Sequence, residues 1–181
     1  LALLGIVMLL GGTLWMSRAR LSRVRNVTWV AMGAVFALAL VIRLIDLGGA
    51  GVTWDEDIYW SAGRNYVENL LSFDLHPGAW QWNAEHPPIT KYVIGIAALL
   101  TENYWAARAL SALELALACA LLVPVGARLG SRIAGVFAGV VASLTPHLIA
   151  HGQIIGHEAP SLLLWVLGVG LALELHPKPD A

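Results

Sequence analysis

Acidic side chains occur in three short polar strings of an otherwise apolar chain. The strings are TWDEDIYW (53–60), EHPPITKY (85–92) and HGQIIGHEAP (151–160). A carboxylate in such a string can take a proton from a hydroxyl group. Charged groups beside a bilayer are costly, and where they persist they usually serve a site. The pattern therefore indicates acid–base chemistry at a membrane surface.

Asp55 and Glu56 open a predicted helix. Thr53 with Glu56 three residues on has the pattern of a capping box. Acids in the first turn also complement the helix dipole, which alone would explain both residues. Asp55 is less needed for capping, and nearby backbone N–H groups favour its ionised form. We therefore take Asp55 as the candidate base and Glu56 as its catalytic neighbour.

Glu85 and His86 precede two prolines that fix an extended approach to the next helix. Oxygen and imidazole are both usable metal ligands, so Glu85 is a candidate ligand of a divalent metal ion, the only cofactor the pattern suggests. His86 is a candidate substrate ligand. Lys91 brings a cation close to the membrane surface, where it either snorkels or binds substrate.

Two arginines lie at the ends of apolar segments. Arg43 precedes Asp46 by three residues, a spacing that predicts a local ion pair. Arg108 has no acid three or four residues away, so we expect it to be unpaired. Because a guanidinium fits phosphate oxygens, Arg108 is a candidate phosphate ligand.

The third string places Glu158 at a helix start, because Pro160 suits the first turn of a helix. We expect Asp55 and Glu158 to meet at the same membrane face. Three histidines nearby (His147, His151 and His157) could titrate or bind metal, although interfacial packing also explains them.

Composition places the chain in a membrane. Of its 181 residues 58% are hydrophobic and 13% are charged, and the mean hydropathy is +0.70. Soluble domains are less apolar and carry about 25% charged residues. The net charge is −1 and no basic stripe is present, which excludes a nucleic-acid partner. The single cysteine, Cys119, excludes an intrachain disulfide.

The apolar segments predict an all-α, polytopic transmembrane bundle. They are 1–16, 27–47, 106–125, 133–150 and 160–175, of which 27–47 is the clearest span. The run 89–100 is short, so it either re-enters on one side or crosses. Basic residues lie at 18–25, 128, 132 and 178. By the positive-inside rule, we expect these parts of the chain to face the cytoplasm. The loop 50–88 and the stretch 151–159 then both face outward. We expect the loop to contain an amphipathic helix that lies at the membrane–water interface.

The ordered set of WDE, HPP, an Arg and an acid before a Pro resembles the GT-C membrane glycosyltransferases. Within them the chain is similar to protein O-mannosyltransferases and lipid A aminoarabinose transferases. The resemblance implies an inverting enzyme of the cell membrane, with its active-site loop on the extracytoplasmic side. Its partners would be a polyprenyl-phosphate-linked sugar donor, a protein or lipid acceptor, and membrane lipids.

The resemblance also implies roles for individual positions. Asp55 matches the acid that activates the acceptor hydroxyl, and Glu158 matches a position that more often holds Asp. The pair Glu85–His86 matches a region that handles the donor phosphate or a metal ion, and Arg108 matches a recurrent Arg. We expect an N-terminal apolar segment with an Arg-rich cytoplasmic loop (1–26), followed by a partial GT-C-like module (27–181) that is inactive alone.

Two other classes remain open. A transporter or flippase-like protein could use the polar loop as a gate, but such proteins keep ionisable groups within their spans. An assembly subunit would not need the loop acids.

Overall fold

A computed structural model describes residues 26–49, 51–86 and 88–175, and these residues form helices and turns without a strand. The α-helices are α1 (Asn26–Leu44), α2 (Trp54–Leu71), α3 (Pro88–Leu100), α4 (Tyr104–Leu129), α5 (Arg132–Leu144), α6 (Pro146–His151) and α7 (Glu158–Leu175). A 3-10 turn, Pro77–Trp80, lies between α2 and α3. The all-α prediction is confirmed for this part of the chain. The predicted segment 1–16 and the arginines at 18–25 lie outside the described residues.

Two of the described helices, α4 and α7, are long and apolar enough to cross a membrane. At 1.5 Å per residue they measure about 39 and 27 Å, close to or beyond the ~30 Å of a hydrocarbon core. Helices α1, α3 and α5 are apolar over shorter stretches. The predicted clearest span, 27–47, forms a helix only as far as Leu44.

Helix α4 is the centre of the structure, because α1, α5 and α7 all pack against it. Gly126 and Gly139 mark its close antiparallel crossing with α5, where Gly139 approaches the carbonyl of Cys119. Arg128 near the end of α4 donates to Leu173 O near the end of α7 at 2.9 Å. Helices α4 and α7 therefore run in the same direction, and they start at one end of the bundle.

The predicted span 133–150 is wrong as a single helix. It is split into α5 and α6 at Pro146, and Thr145 before the proline has extended backbone angles (φ −67°, ψ 117°). A proline disfavours helical angles in the residue before it, so the helix ends there. The break leaves carbonyls at the end of α5 without partners within their own helix.

Arg43 of α1 supplies the missing donors. Its guanidinium is fully buried and lies 3.4 Å from Ser143 O and 3.5 Å from Ala142 O. The predicted local ion pair with Asp46 is wrong, because Asp46 is exposed in a turn while Arg43 binds the end of another helix. A distant tertiary partner has replaced the local one.

Helices α2 and α3 form a hairpin that packs beside the start of α4. They cross at Gly63 and Gly95, where a methyl group on Gly63 would lie 2.9 Å from Gly95 N and Lys91 O. Tyr59 and Tyr66 are buried on α2, whereas Leu70 is 41% exposed. The close crossing holds α2 and α3 at a fixed spacing and so positions the polar strings that they carry.

Candidate functional site

Side chains from all three polar strings meet around Tyr59 of α2. Its hydroxyl lies 2.5 Å from Nδ1 of His157, which is 98 residues away in the chain. The His86 ring lies 5.4 Å from the Tyr59 ring and 5.0 Å from the His157 ring. Together with the carboxylates described next, these residues form what we call the Tyr59 cluster: Asp55, Tyr59, Glu85, His86, His157 and Glu158.

Three carboxylates act on the Tyr59 hydroxyl. Burial raises the pKa of Tyr59 to about 12, and the charges of Glu158, Asp55 and Glu85 add to the rise. The phenol therefore remains protonated at neutral pH. Glu158 lies beside His157, the hydrogen-bond partner of this hydroxyl, and Asp55 lies about one helical turn before Tyr59.

Glu158 occupies the first position of α7, as predicted. Its Oε1 lies 3.8 Å from His157 Nδ1, and its Oε2 lies 3.7 Å from His151 Nδ1. The nitrogen of His151 is buried and has no hydrogen-bond partner among the described residues. A methyl group on Gly156 would overlap Glu158 Oε2, so a larger residue there would make the Glu158 carboxylate move.

Asp55 lies in the first turn of α2 and is exposed. The fold uses the neighbouring acids differently: Glu56 is buried, and Asp57 accepts a hydrogen bond from the Tyr104 hydroxyl. In the described residues Asp55 forms neither a hydrogen bond nor an ion pair with another side chain. Its carboxylate is thus accessible at the edge of the Tyr59 cluster.

Glu56 is a buried structural anchor. Its side chain is fully buried, and each carboxylate oxygen accepts two hydrogen bonds. One oxygen accepts from Arg108 Nε and Ile155 N, and the other from Arg108 Nη2 and Thr53 N, all at 2.8–2.9 Å. This is the Glu half of the predicted capping box, whereas the Thr53 hydroxyl has no partner. With both oxygens occupied and no access to solvent, Glu56 does not fit the catalytic role expected of it.

Arg108 is paired, so the expectation of an unpaired phosphate ligand is wrong. Besides its two bonds to Glu56, it donates to Leu47 O at 2.9 Å and to Gly51 O. Burial raises the pKa of Glu56, but hydrogen bonds from Arg108, Thr53 and Ile155 outweigh this, and the net pKa is lowered. The ion pair therefore joins the end of α1, the start of α2, α4 and the segment before α7.

Lys91 also has a structural role. It is 1% exposed, and its ammonium donates to Asn83 O and, at 2.9 Å, to His86 O. It lies 4.9 Å from the centre of the Tyr66 ring. Neither snorkelling nor direct substrate binding describes this arrangement, in which Lys91 holds the loop that carries Glu85 and His86.

The described residues do not fit a metal site. Across 26–49, 51–86 and 88–175, no three His, Cys, Asp or Glu side chains lie close enough to share a metal ion. Glu85 is exposed and has no companion ligands there. We therefore derive no step of the chemistry through a divalent ion.

Sequence reasoning did not identify Tyr59 as a site residue. For His157 the sequence pattern suggested titration, metal binding or interfacial packing. One signal was available, because Tyr59 follows Asp55 by four residues and so lies on the same helix face. Its contact with His157 depends on tertiary structure.

The described residues thus form a helical structure in which two helices are long and apolar enough to cross a membrane, and acidic side chains cluster near the starts of its helices. The family model described as dolichyl-phosphate-mannose-protein mannosyltransferase matches residues 85–179, somewhat more than half of the chain. The chain belongs to this family, which makes it a membrane glycosyltransferase of the mannosyltransferase type. No curated protein and no solved structure matches the chain. The matched range includes Glu85, His86 and Glu158 but does not reach Asp55.

Proposed function

We propose that the protein transfers a sugar from a polyprenyl-phosphate donor to a hydroxyl of a protein or lipid, with inversion, at the outer face of the cell membrane. The observation that supports this most directly is the Tyr59 cluster. Three carboxylates from separate polar strings act on one hydroxyl at the end of the bundle where α4 and α7 start. Lipid-linked donors and their acceptors would meet at such a surface.

Asp55 is the catalytic base in this proposal. It is exposed, it lies at a helix start whose dipole stabilises negative charge, and the fold does not use its carboxylate. An acceptor hydroxyl within hydrogen-bond reach would give its proton to Asp55 as the oxygen attacks the sugar. Glu158, whose Oε1 lies 3.8 Å from His157 Nδ1, orients the sugar through its hydroxyls in this proposal.

Lys91 and Arg108 contribute indirectly. The leaving phosphate needs positive charge or N–H donors, but these two cations are bound to Glu56 and to loop carbonyls. We therefore assign them to positioning: Arg108 fixes the start of α2, and Lys91 fixes the loop of Glu85 and His86. The phosphate would be bound by groups beyond the described residues, which fits a module that needs the rest of its parent protein for activity.

Asp55→Asn in the full-length parent protein tests the assignment. It keeps size and polarity but removes the basic carboxylate, so transfer from a polyprenyl-phosphate sugar should fall by about 10²–10⁴-fold, the usual contribution of a general base. The matched control is Glu68→Gln, which neutralises an exposed acid of the same helix. Transfer by Asp55→Asn at the wild-type rate, with normal expression, would exclude Asp55 as the base.

The outward orientation has its own test. Asp74 lies in the exposed loop after α2, and Asp74→Cys should react in intact cells with a thiol reagent that does not cross membranes. Cys119 is 1% exposed and provides an unreactive background. Labelling only after the cells are opened would place the loop on the cytoplasmic side and contradict the proposed topology.

A further inference from the structure

The contact between Tyr59 and His157 is a second link between α2 and the segment before α7, in addition to the hydrogen bond from Ile155 N to Glu56. Tyr59 belongs to α2, four residues after Asp55, and His157 directly precedes Glu158. Their 2.5 Å hydrogen bond thus fixes the distance between the helix turn of Asp55 and the helix start of Glu158.

The direction of the hydrogen bond follows from the environment of the phenol. Tyr59 is 4% exposed, and its hydroxyl has no other hydrogen-bond partner among the described residues, so its proton is satisfied only when it donates to His157. Nδ1 of His157 must then be the acceptor, which places the ring proton of the neutral imidazole on Nε2. The contact therefore selects one tautomer of His157 and requires its neutral form.

Protonation of His157 would change the contact. A proton on Nδ1 removes the acceptor, and the resulting cation would face Glu158 Oε1 at 3.8 Å. The ionisable groups that face His157 are Tyr59 from α2, His86 from the loop before α3, and Glu158 from α7, whose other oxygen lies 3.7 Å from His151. The charged imidazole could no longer accept from Tyr59 and would be drawn towards the Glu158 carboxylate.

We propose that Tyr59 and His157 are a positioning pair that holds Glu158 in register with Asp55, and that sugar transfer requires this pair in its hydrogen-bonded, neutral form. The proposal rests on the proposed function. It adds two positioning residues to the site and predicts that acid disconnects them in the range where an imidazole changes charge, between about pH 5 and 8.

The first experiment measures the tautomer and does not depend on activity. The chain is labelled with ¹⁵N-histidine in lipid nanodiscs, and the His157 signals are assigned by their loss in His157→Asn. At pH 8 we expect an unprotonated acceptor signal for Nδ1 and a protonated signal for Nε2. Tyr59→Phe should give a mixture of tautomers and should let His157 take up its proton at higher pH.

Tyr66→Phe is the matched control for the first experiment. It removes a phenol from the same helix, but that phenol donates to Trp80 O and not to a histidine. The His157 signals should therefore match those of the wild type. Identical His157 signals in wild type and Tyr59→Phe would overturn the proposal, because the hydrogen bond would then not exist in the membrane.

The second experiment measures transfer against pH in the full-length parent. Tyr59→Phe should lower the transfer rate by about threefold to tenfold, the usual effect of losing one hydrogen bond. It should also shift the acid limb, the acidic side of the curve of rate against pH, to higher pH. His157→Asn places an amide oxygen near the position of Nδ1 and cannot take up a proton, so it should retain transfer with a flatter acid limb. His157→Leu, which offers no acceptor, should lose the activity that His157→Asn retains.

The two experiments distinguish a failure of the proposed Tyr59–His157 pair from a failure of the proposed transferase function. If the wild-type parent transfers no sugar, the proposed function fails, while the tautomer result still decides whether the hydrogen bond exists. If transfer occurs and Tyr59→Phe leaves both the rate and the acid limb unchanged, the positioning role is overturned. If Tyr59→Phe does not fold, equal pH profiles for His157→Asn and the wild type would overturn the role instead.

Discussion

Arg108→Met should destabilise the fold strongly, because it leaves the buried carboxylate of Glu56 without its cation. The Glu56 side chain is 0% exposed and that of Arg108 is 5% exposed. The substitution removes four hydrogen bonds, two to Glu56 and one each to Leu47 O and Gly51 O. Removing one partner of a buried ion pair costs about 3–5 kcal/mol. At 2–4 °C per kcal/mol, Tm should fall by roughly 6–20 °C.

Cys119 provides the assay. It is the only cysteine of the chain and is 1% exposed, so a thiol-reactive fluorophore reports unfolding in detergent or nanodiscs as temperature rises. Arg64→Met is the matched control, because the acid that Arg64 contacts, Glu102, is 80% exposed and exposed pairs contribute only about 0–1 kcal/mol. Its Tm should change little.

A double substitution separates the ion pair from loss of side-chain volume. Replacing both buried partners by apolar groups is often neutral, so Arg108→Met with Glu56→Leu should be more stable than Arg108→Met alone. A single variant as stable as the wild type, or a double variant less stable than either single one, would refute the assignment of this pair as the buried anchor.

Three further outcomes are expected from the same unfolding assay. Gly63→Ala should cost about 1–3 kcal/mol by overpacking, because its methyl group meets backbone atoms at 2.9 Å; Gly168→Ala, with open space around it, should not. Lys91→Met leaves two loop carbonyls without their donor, which should cost about 1–3 kcal/mol and speed proteolysis of that loop. The pKa of Glu56 is below its usual 4.5, so the stability it adds is present above pH 4.5 and is lost as pH falls through its folded pKa. The Tm difference between wild type and Glu56→Gln should therefore shrink in acid, and a difference that grew would contradict the pairing.

Much of the fold could be predicted from local patterns. Apolar runs identified the helices, and Pro160 identified Glu158 as the start of α7. The break of 133–150 at Pro146 was missed, although a proline within an apolar run is a recognised signal for the end of a helix. Composition alone favoured a single span there, because most residues on both sides of the proline are apolar.

The roles of the cations could not be predicted in the same way. Spacing finds partners three or four residues away, but Glu56 is 52 residues from Arg108, and Ser143 is 100 residues from Arg43. Lys91 was expected to reach the surface, whereas backbone carbonyls of a loop bind it. Sequence patterns thus found which residues are polar in an apolar chain, and only tertiary structure separates those that hold the fold from those left accessible for chemistry.

The buried guanidinium of Arg43 links this accessible region to the helical layer beneath it. Gly152, just after α6, rests directly on that side chain, and a methyl group there would lie 2.6 Å from Arg43 Cδ. The segment before Glu158 therefore packs directly on the side chain of Arg43, which belongs to α1. Any side chain larger than that of glycine at position 152 would therefore displace Arg43 from the carbonyls at the end of α5.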